Sequence, residues 1–241
     1  MSLSIRRVTR ETKIVSESTL LKAQGIYYIQ NEDNIMKGTA MIVGQIGTPY
    51  VGGFYFFSVE FPDTYPYDPP KILSLTQDGL TRFNPNLYIC GKVCLSILNT
   101  WNGPSWNVAQ TLETVLLSIL SAVLNEYPIE NEPGYEGCAK KEKSNIYNRV
   151  IFHSNIKTAI YEYMSTCSKP KMENVKQSFT FIKGFEEYMK SEFLDKKASI
   201  LEALETLLIY DGEKEDSIYS MKITYNFKTL KTMLLSLDAS L

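Results

Sequence analysis

Within one short run the chain places Asn84-Pro85-Asn86, then Gly91-Lys92-Val93-Cys94-Leu95, then Trp101 and Trp106. Cysteine acts as a nucleophile through its thiolate, aided by partial exposure and nearby positive charge, and Cys94 follows Lys92 in a stretch dense in Asn, Gly and Pro. Asn86 brings an amide donor of the kind that stabilises a developing oxyanion. The single histidine, His153, lies far along the chain. A cysteine hydrolase needs a base that activates the thiol and then water. A thiol and an amide without a local imidazole therefore suit the passing on of an acyl group better than hydrolysis. Three blander or rival readings stand beside this one. Cys94 and His153 would form a protease-like dyad, or Cys90 and Cys94 half of a zinc knuckle, its other half drawn from Cys138, Cys167 and His153 in no recognisable spacing. For Cys138 and Cys167 the expected role is that of a small buried hydrophobe.

The elements that must position these residues are legible from periodicity. Ile5, Val8, Thr12 and Val15 recur at helical spacing, with Arg6, Arg7, Arg10 and Lys13 on other faces, which predicts an amphipathic opening helix. Four runs rich in aromatic and β-branched residues follow, at Gly25–Ile29, Thr39–Val43, Gly53–Phe61 and Lys71–Leu75, and short connections between them favour an antiparallel meander. The prolines of Tyr65-Pro66-Tyr67-Asp68-Pro69-Pro70 cannot lie inside a paired strand and mark a rigid connection. From Gln77 to Ser105 no periodicity holds, and so long a loop in a compact domain is usually functional. Val108, Leu112, Val115, Leu116, Ile119, Leu120, Val123 and Leu124 then predict a core helix, with Asn107 as its N-cap and Gln110 completing a capping box.

After Tyr127-Pro128-Ile129-Glu130-Asn131-Glu132-Pro133-Gly134 the chain reads as helical. One helix carries His153 and breaks at Ser168-Lys169-Pro170-Lys171. Further helices are expected over Val175–Tyr188, Leu194–Ile209 and Met221–Leu237, with a turn at Asp211-Gly212-Glu213. The expectation is an α+β domain over residues 1–168 and a helical C-terminal extension over residues 169–241.

A net charge of −2 argues against a broad electrostatic grip on nucleic acid. No apolar run approaches the roughly 18 residues of a membrane span, and no apolar signal core follows the early arginines, so neither membrane insertion nor secretion is expected. Four cysteines are too few for a disulfide framework in 241 residues, which points to a reducing cytosolic or nuclear compartment.

Five motifs in order and spacing resemble the ubiquitin-conjugating enzyme family: Gly47-Thr48-Pro49-Tyr50-Val51-Gly52-Gly53, Tyr65-Pro66-Tyr67-Asp68-Pro69-Pro70, Asn84-Pro85-Asn86, Gly91-Lys92-Val93-Cys94-Leu95 and Trp106-Asn107-Val108-Ala109. The resemblance covers roughly Ser4 to Ser168. The longer stretches Thr81–Tyr88, Thr100–Trp106 and Asn131–Glu136 are similar to one branch, which includes the Z-type conjugating enzyme and the conjugating domain of the giant inhibitor-of-apoptosis protein.

The resemblance implies the ubiquitin-conjugating fold and a carrier activity. Cys94 would accept ubiquitin or a ubiquitin-like modifier as a thioester from an activating enzyme, which uses the ATP, so no cofactor is expected on this chain. Asn86 would support the oxyanion or the loop, and Glu132 would be an acidic gate that orients or deprotonates the incoming lysine. Tyr67, Val108 and Ala109 would meet a ubiquitin ligase, and Arg6, Arg7, Arg10 and Lys13 the activating enzyme. A catalytically silent binding module of the same fold is the alternative, and the presence of Cys94 favours the enzyme. The chain departs from the family at Asn84, where histidine is usual, at the acidic Asp68, and in an insertion over Asn102–Ser105.

Overall fold

The computed structural model describes residues 2–168 and 177–237. Ser2 opens helix α1 (Leu3–Glu17), its hydroxyl accepting from the Ile5 N–H and so satisfying one of the donors that a helix start leaves unpaired. The buried face of α1 is Ser4, Val8, Glu11, Thr12 and Val15. A short α2 (Thr19–Ala23) leads into four strands, β1 (Ile26–Gln30), β2 (Lys37–Val43), β3 (Phe54–Glu60) and β4 (Lys71–Ser74), paired antiparallel in chain order. These are the four expected runs, and the proline-rich segment connects β3 to β4.

Successive strand residues point to opposite faces of a sheet, yet Phe54, Tyr55, Phe56 and Phe57 of β3 are all buried. The meander is therefore covered on both sides. Tyr27, Met41 and Phe56 lie across from one another on one face. There the Phe56 ring lies 5.0 Å from Phe181 and 5.4 Å from Phe185, and Tyr27 lies 4.5 Å from Tyr188. Those partners belong to the C-terminal extension, which covers this apolar sheet face and shares one continuous core with the domain.

The central helix, α3 (Leu112–Ser118), starts later than its apolar pattern predicts and runs on through a wider π turn, Ile119–Val123. Asn107 and Gln110 do pair, through Asn107 N–H to Gln110 Oε1 at 2.9 Å, but in a separate turn; Thr111 is the true cap, accepting from the Thr114 N–H. In a continuous helix the Leu112 N–H would bond the Val108 carbonyl. Here Glu11 takes that N–H at 2.9 Å and Arg7 takes that carbonyl at 3.3 Å, so the helix cannot begin before Leu112.

Helix α4 (Glu142–Ser154) continues through a π stretch, Asn155–Glu162, into α5 (Tyr163–Ser168). The expected break at Lys169-Pro170-Lys171 and the expected helix start at Val175 lie outside the described residues. A 3-10 segment, Gln177–Ile182, then precedes α6 (Glu186–Leu207), one helix across positions where two were expected. After the turn at Gly212 come β5 (Lys214–Ser217) and β6 (Met221–Thr224), an antiparallel hairpin, and then α7 (Phe227–Leu237). Met221 was expected to open a helix and instead opens a strand. The hairpin was hidden because Lys214, Glu215, Asp216 and Lys222 leave it no apolar alternation. The architecture is α+β, a four-stranded antiparallel sheet with helices and a C-terminal helical extension that includes this hairpin.

Candidate active site

Asn84 is fully buried and uses all four hydrogen-bonding positions of its amide. Nδ2 donates to the Val123 carbonyl at 2.6 Å and to the Tyr50 hydroxyl at 3.1 Å. Oδ1 accepts from the Asn86 N–H at 2.8 Å and from Asn131 Nδ2 at 3.3 Å. One side chain thus ties the loop before Cys94 to the end of the central helix and to the turn that carries Glu132. A neutral imidazole offers one donor and one acceptor. The amide therefore fits this four-bond site, which accounts physically for asparagine at a position where the resembled family usually has histidine.

Asn86 and Cys94 are joined reciprocally. The Cys94 N–H donates to the Asn86 carbonyl at 2.9 Å, and Asn86 Nδ2 donates to the Cys94 carbonyl at 2.6 Å. Asn86 is therefore a brace for the loop, and the second hydrogen on Nδ2 has no acceptor among the described residues. Thr100 closes the other side, its hydroxyl donating to the Val93 carbonyl at 2.8 Å and accepting from the Leu95 N–H at 2.9 Å. Cys94 is 1% exposed, more enclosed than the partly exposed thiol suggested by its polar loop. Exposure falls instead to Cys90.

The competing uses of these cysteines find no support in the geometry. No group of three or more His, Cys, Asp or Glu residues suited to a metal occurs among the described residues. His153 is buried with Nε2 2.6 Å from Asn226 Oδ1 and its ring against Tyr225 and Phe227, so it serves the packing of α4 on the extension. Burial lowers its pKa, with the Asn226 bond raising it in part. Burial also pushes the Cys167 thiol up to about 11, as befits an inert packing residue.

Glu132 follows a 3-10 turn, Pro128–Asn131, and is half-buried. Its Oε2 accepts a hydrogen bond from the hydroxyl of Tyr219, which belongs to the extension. The same Tyr219 ring lies 4.0 Å from the guanidinium of Arg82, as does the Tyr88 ring, and Arg82 Nη2 donates to the Pro85 carbonyl at 2.5 Å.

The residues expected to meet partners lie on adjoining elements. Tyr67 is 69% exposed and Val108 50% exposed, and Ala109 is exposed beside it. Their loops are held together by Trp106, whose Nε1 donates to the Pro66 carbonyl at 2.8 Å. Arg6, Arg10 and Lys13 face solvent on α1. Arg7 differs from them: it pairs with Glu11 and donates to the Val108 and Gln110 carbonyls, so it joins α1 to the Val108 loop. Glu11, absent from the sequence reading, is the hub of this corner and also accepts from the Tyr65 hydroxyl at 2.5 Å. Its signal was a carboxylate on the same helical stripe as Val8, Thr12 and Val15, since a buried charge is the informative exception on an apolar face.

A family profile described as Ubiquitin-conjugating enzyme matches residues 7–160. The curated protein Ubiquitin-conjugating enzyme E2 Z of Xenopus tropicalis is 43% identical over 141 residues, covering 58% of this chain and 45% of the relative. Its Homo sapiens counterpart is 40% identical over 159 residues, covering 64% and 45%. Ubiquitin-conjugating enzyme E2 38 of Arabidopsis thaliana is 36% identical over 208 residues, covering 83% and 57%, so that likeness runs into the extension. The chain spans about half the length of these relatives. A solved structure of a ubiquitin conjugating enzyme from Plasmodium yoelii aligns with a TM-score of 0.53 and 27% identity, covering 66% of this chain and 97% of that one. No helix among the described residues is long and apolar enough to cross a membrane.

Proposed function

Because the chain belongs to the ubiquitin-conjugating enzyme family, we propose that Cys94 carries ubiquitin or a ubiquitin-like modifier as a thioester and passes it to a protein amine. The Cys94 thiolate attacks the thioester carbonyl presented by an activating enzyme, whose own cysteine leaves as a thiolate. A substrate lysine then attacks the carbonyl on Cys94, a C–N bond forms, the C–S bond breaks, and the amine gives up its proton to Glu132 or to water. ATP is consumed by the activating enzyme and not on this chain. A ubiquitin ligase docks at Tyr67, Val108 and Ala109, and Arg6, Arg10 and Lys13 face the activating enzyme, with Arg7 holding the two surfaces in register.

The observation that carries this reading is the reciprocal pair between Asn86 and Cys94, at 2.9 and 2.6 Å, with the chain's one histidine committed to Asn226. A thioester that waits for an amine must not be handed to water, and a thiol braced by an amide, with the histidine engaged elsewhere, meets that need. Because Cys94 is enclosed, its thiol must become more accessible for the carbonyl to reach it.

The reading is tested by incubating the protein with activating enzyme, ATP and ubiquitin, or a ubiquitin-like modifier with its own activating enzyme. A reductant-sensitive adduct is expected; no adduct with any of these pairs would overturn the proposal. Asn86→Ala should still load but discharge to lysine about 10²- to 10³-fold more slowly, as when one oxyanion donor is removed. Normal discharge would take Asn86 out of that role.

A further inference from the structure

We infer that Tyr219, in the C-terminal extension, is a positioning residue for the transfer step: it holds the Glu132 carboxylate in place for the incoming lysine. The inference rests on the reading of Cys94 as carrier and Glu132 as acidic gate. Glu132 lies beside Pro133 and Gly134 at the end of a short turn, where a glutamate would otherwise sample several rotamers. The Tyr219 hydroxyl selects one of them by bonding Oε2, and it leaves Oε1 for an incoming amine.

The hairpin is built to place this hydroxyl. Tyr219 and Ser220 adopt φ values of 62° and 57°, a left-handed conformation that side chains avoid and that persists only where the surroundings impose it. Arg149 on α4 anchors the base of the hairpin, donating to both oxygens of Glu215 at 3.1 and 2.6 Å, while the Tyr225 hydroxyl donates to the same carboxylate. At the tip, the Arg82 N–H meets Met221 Sδ at 3.2 Å. The Tyr219 ring also covers Arg82, which holds the Pro85 carbonyl one residue before Asn86. A single extension residue thus touches the gate and the arginine that supports the Cys94 loop. Burial, and then the bond to Glu132, raises the Tyr219 pKa well above its ordinary value, so the hydroxyl stays a donor throughout the pH range of the reaction.

The test uses the full chain loaded with ubiquitin, cleared of ATP and chased with free lysine over a range of concentration. Tyr219→Phe keeps the ring over Arg82 and removes only the hydroxyl. It should load to completion, melt with the parent protein, and show a maximal discharge rate about three- to tenfold lower, the scale of freeing one glutamate rotamer. Glu132→Gln should fall at least as far, and adding Tyr219→Phe to it should cost nothing further, because the hydroxyl acts through the carboxylate. Parental discharge by Tyr219→Phe, losses that multiply in the double variant, or a parallel fall in melting temperature and loading would each overturn the positioning role. An unmodified protein that never loads would overturn the carrier reading and this inference together, whereas normal loading with unaltered discharge overturns this inference alone.

Discussion

Asn84→Ala is the perturbation whose cost can be counted bond by bond. It removes four hydrogen bonds, but two of the partners keep another: Tyr50 still donates to the Phe83 carbonyl at 2.7 Å, and Asn131 Nδ2 still reaches the Ala122 carbonyl at 2.8 Å. The Val123 carbonyl and the Asn86 N–H are left with none among the described residues. Each buried, unpaired backbone group costs about 1–3 kcal/mol, so the two together should destabilise the fold by about 2–6 kcal/mol. For a chain of this size 1 kcal/mol moves the midpoint by roughly 2–4 °C, which predicts a fall of at least about 4 °C in a thermal melt followed by circular dichroism. Because one orphaned group belongs to Asn86, discharge to lysine should slow more than loading does. Asn84→His should not rescue either property, since an imidazole supplies too few bonds and overfills a fully buried site. A melt within about 2 °C of the parent, with normal discharge, would refute the assignment of Asn84 as the tie between loop, helix and gate.

Two further outcomes follow from the extension's contacts. His153 has its folded pKa lowered by burial, so its neutral form contributes stability that is present above the unfolded value of about 6.5 and is lost as pH falls through the lower folded value; thermal melts should decline below pH 6.5, and His153→Gln should flatten that decline. An unchanged slope would remove His153 from the linkage. Gly52 has φ +69° and a Cβ there would lie 2.4 Å from Ile200 Cδ1 on α6, so Gly52→Ala should cost about 1–2 kcal/mol in backbone strain alone and loosen the packing of α6, read as faster amide exchange along that helix. Exchange as slow as in the parent would show that Gly52 is no constraint on that contact.

The meander, the opening helix and the Cys94 loop were legible because apolar periodicity and motif spacing are local signals. Phe54 to Phe57 announced a strand, although nothing in that run says that both of its faces would be covered, one by the extension. The start of α3 was misplaced because an apolar Val108 fits the helical period, while the contacts that stop the helix come from Arg7 and Glu11 about a hundred positions away. Asn86 and Cys94 were found together because they are close in sequence. Tyr219 was not, since a tyrosine between Ile218 and Ser220 carries no mark of its distant partners Arg82 and Glu132. The hairpin that carries it escaped for the same reason: its strands are held by Arg149 and Tyr225 through Glu215 rather than by an apolar alternation.

The most direct test of the carrier reading is to locate the bond. The chain loaded with ubiquitin, or with the modifier that loads it, should be digested without reductant and its cysteine peptides mapped by mass spectrometry. The modifier's C-terminal residue is expected on Cys94, displaced by reductant, with Cys90 unmodified although it is the more exposed thiol. Cys94→Ser should turn the adduct into one that reductant leaves intact. Attachment at Cys90, or an adduct that survives the loss of Cys94 as a thioester, would contradict it.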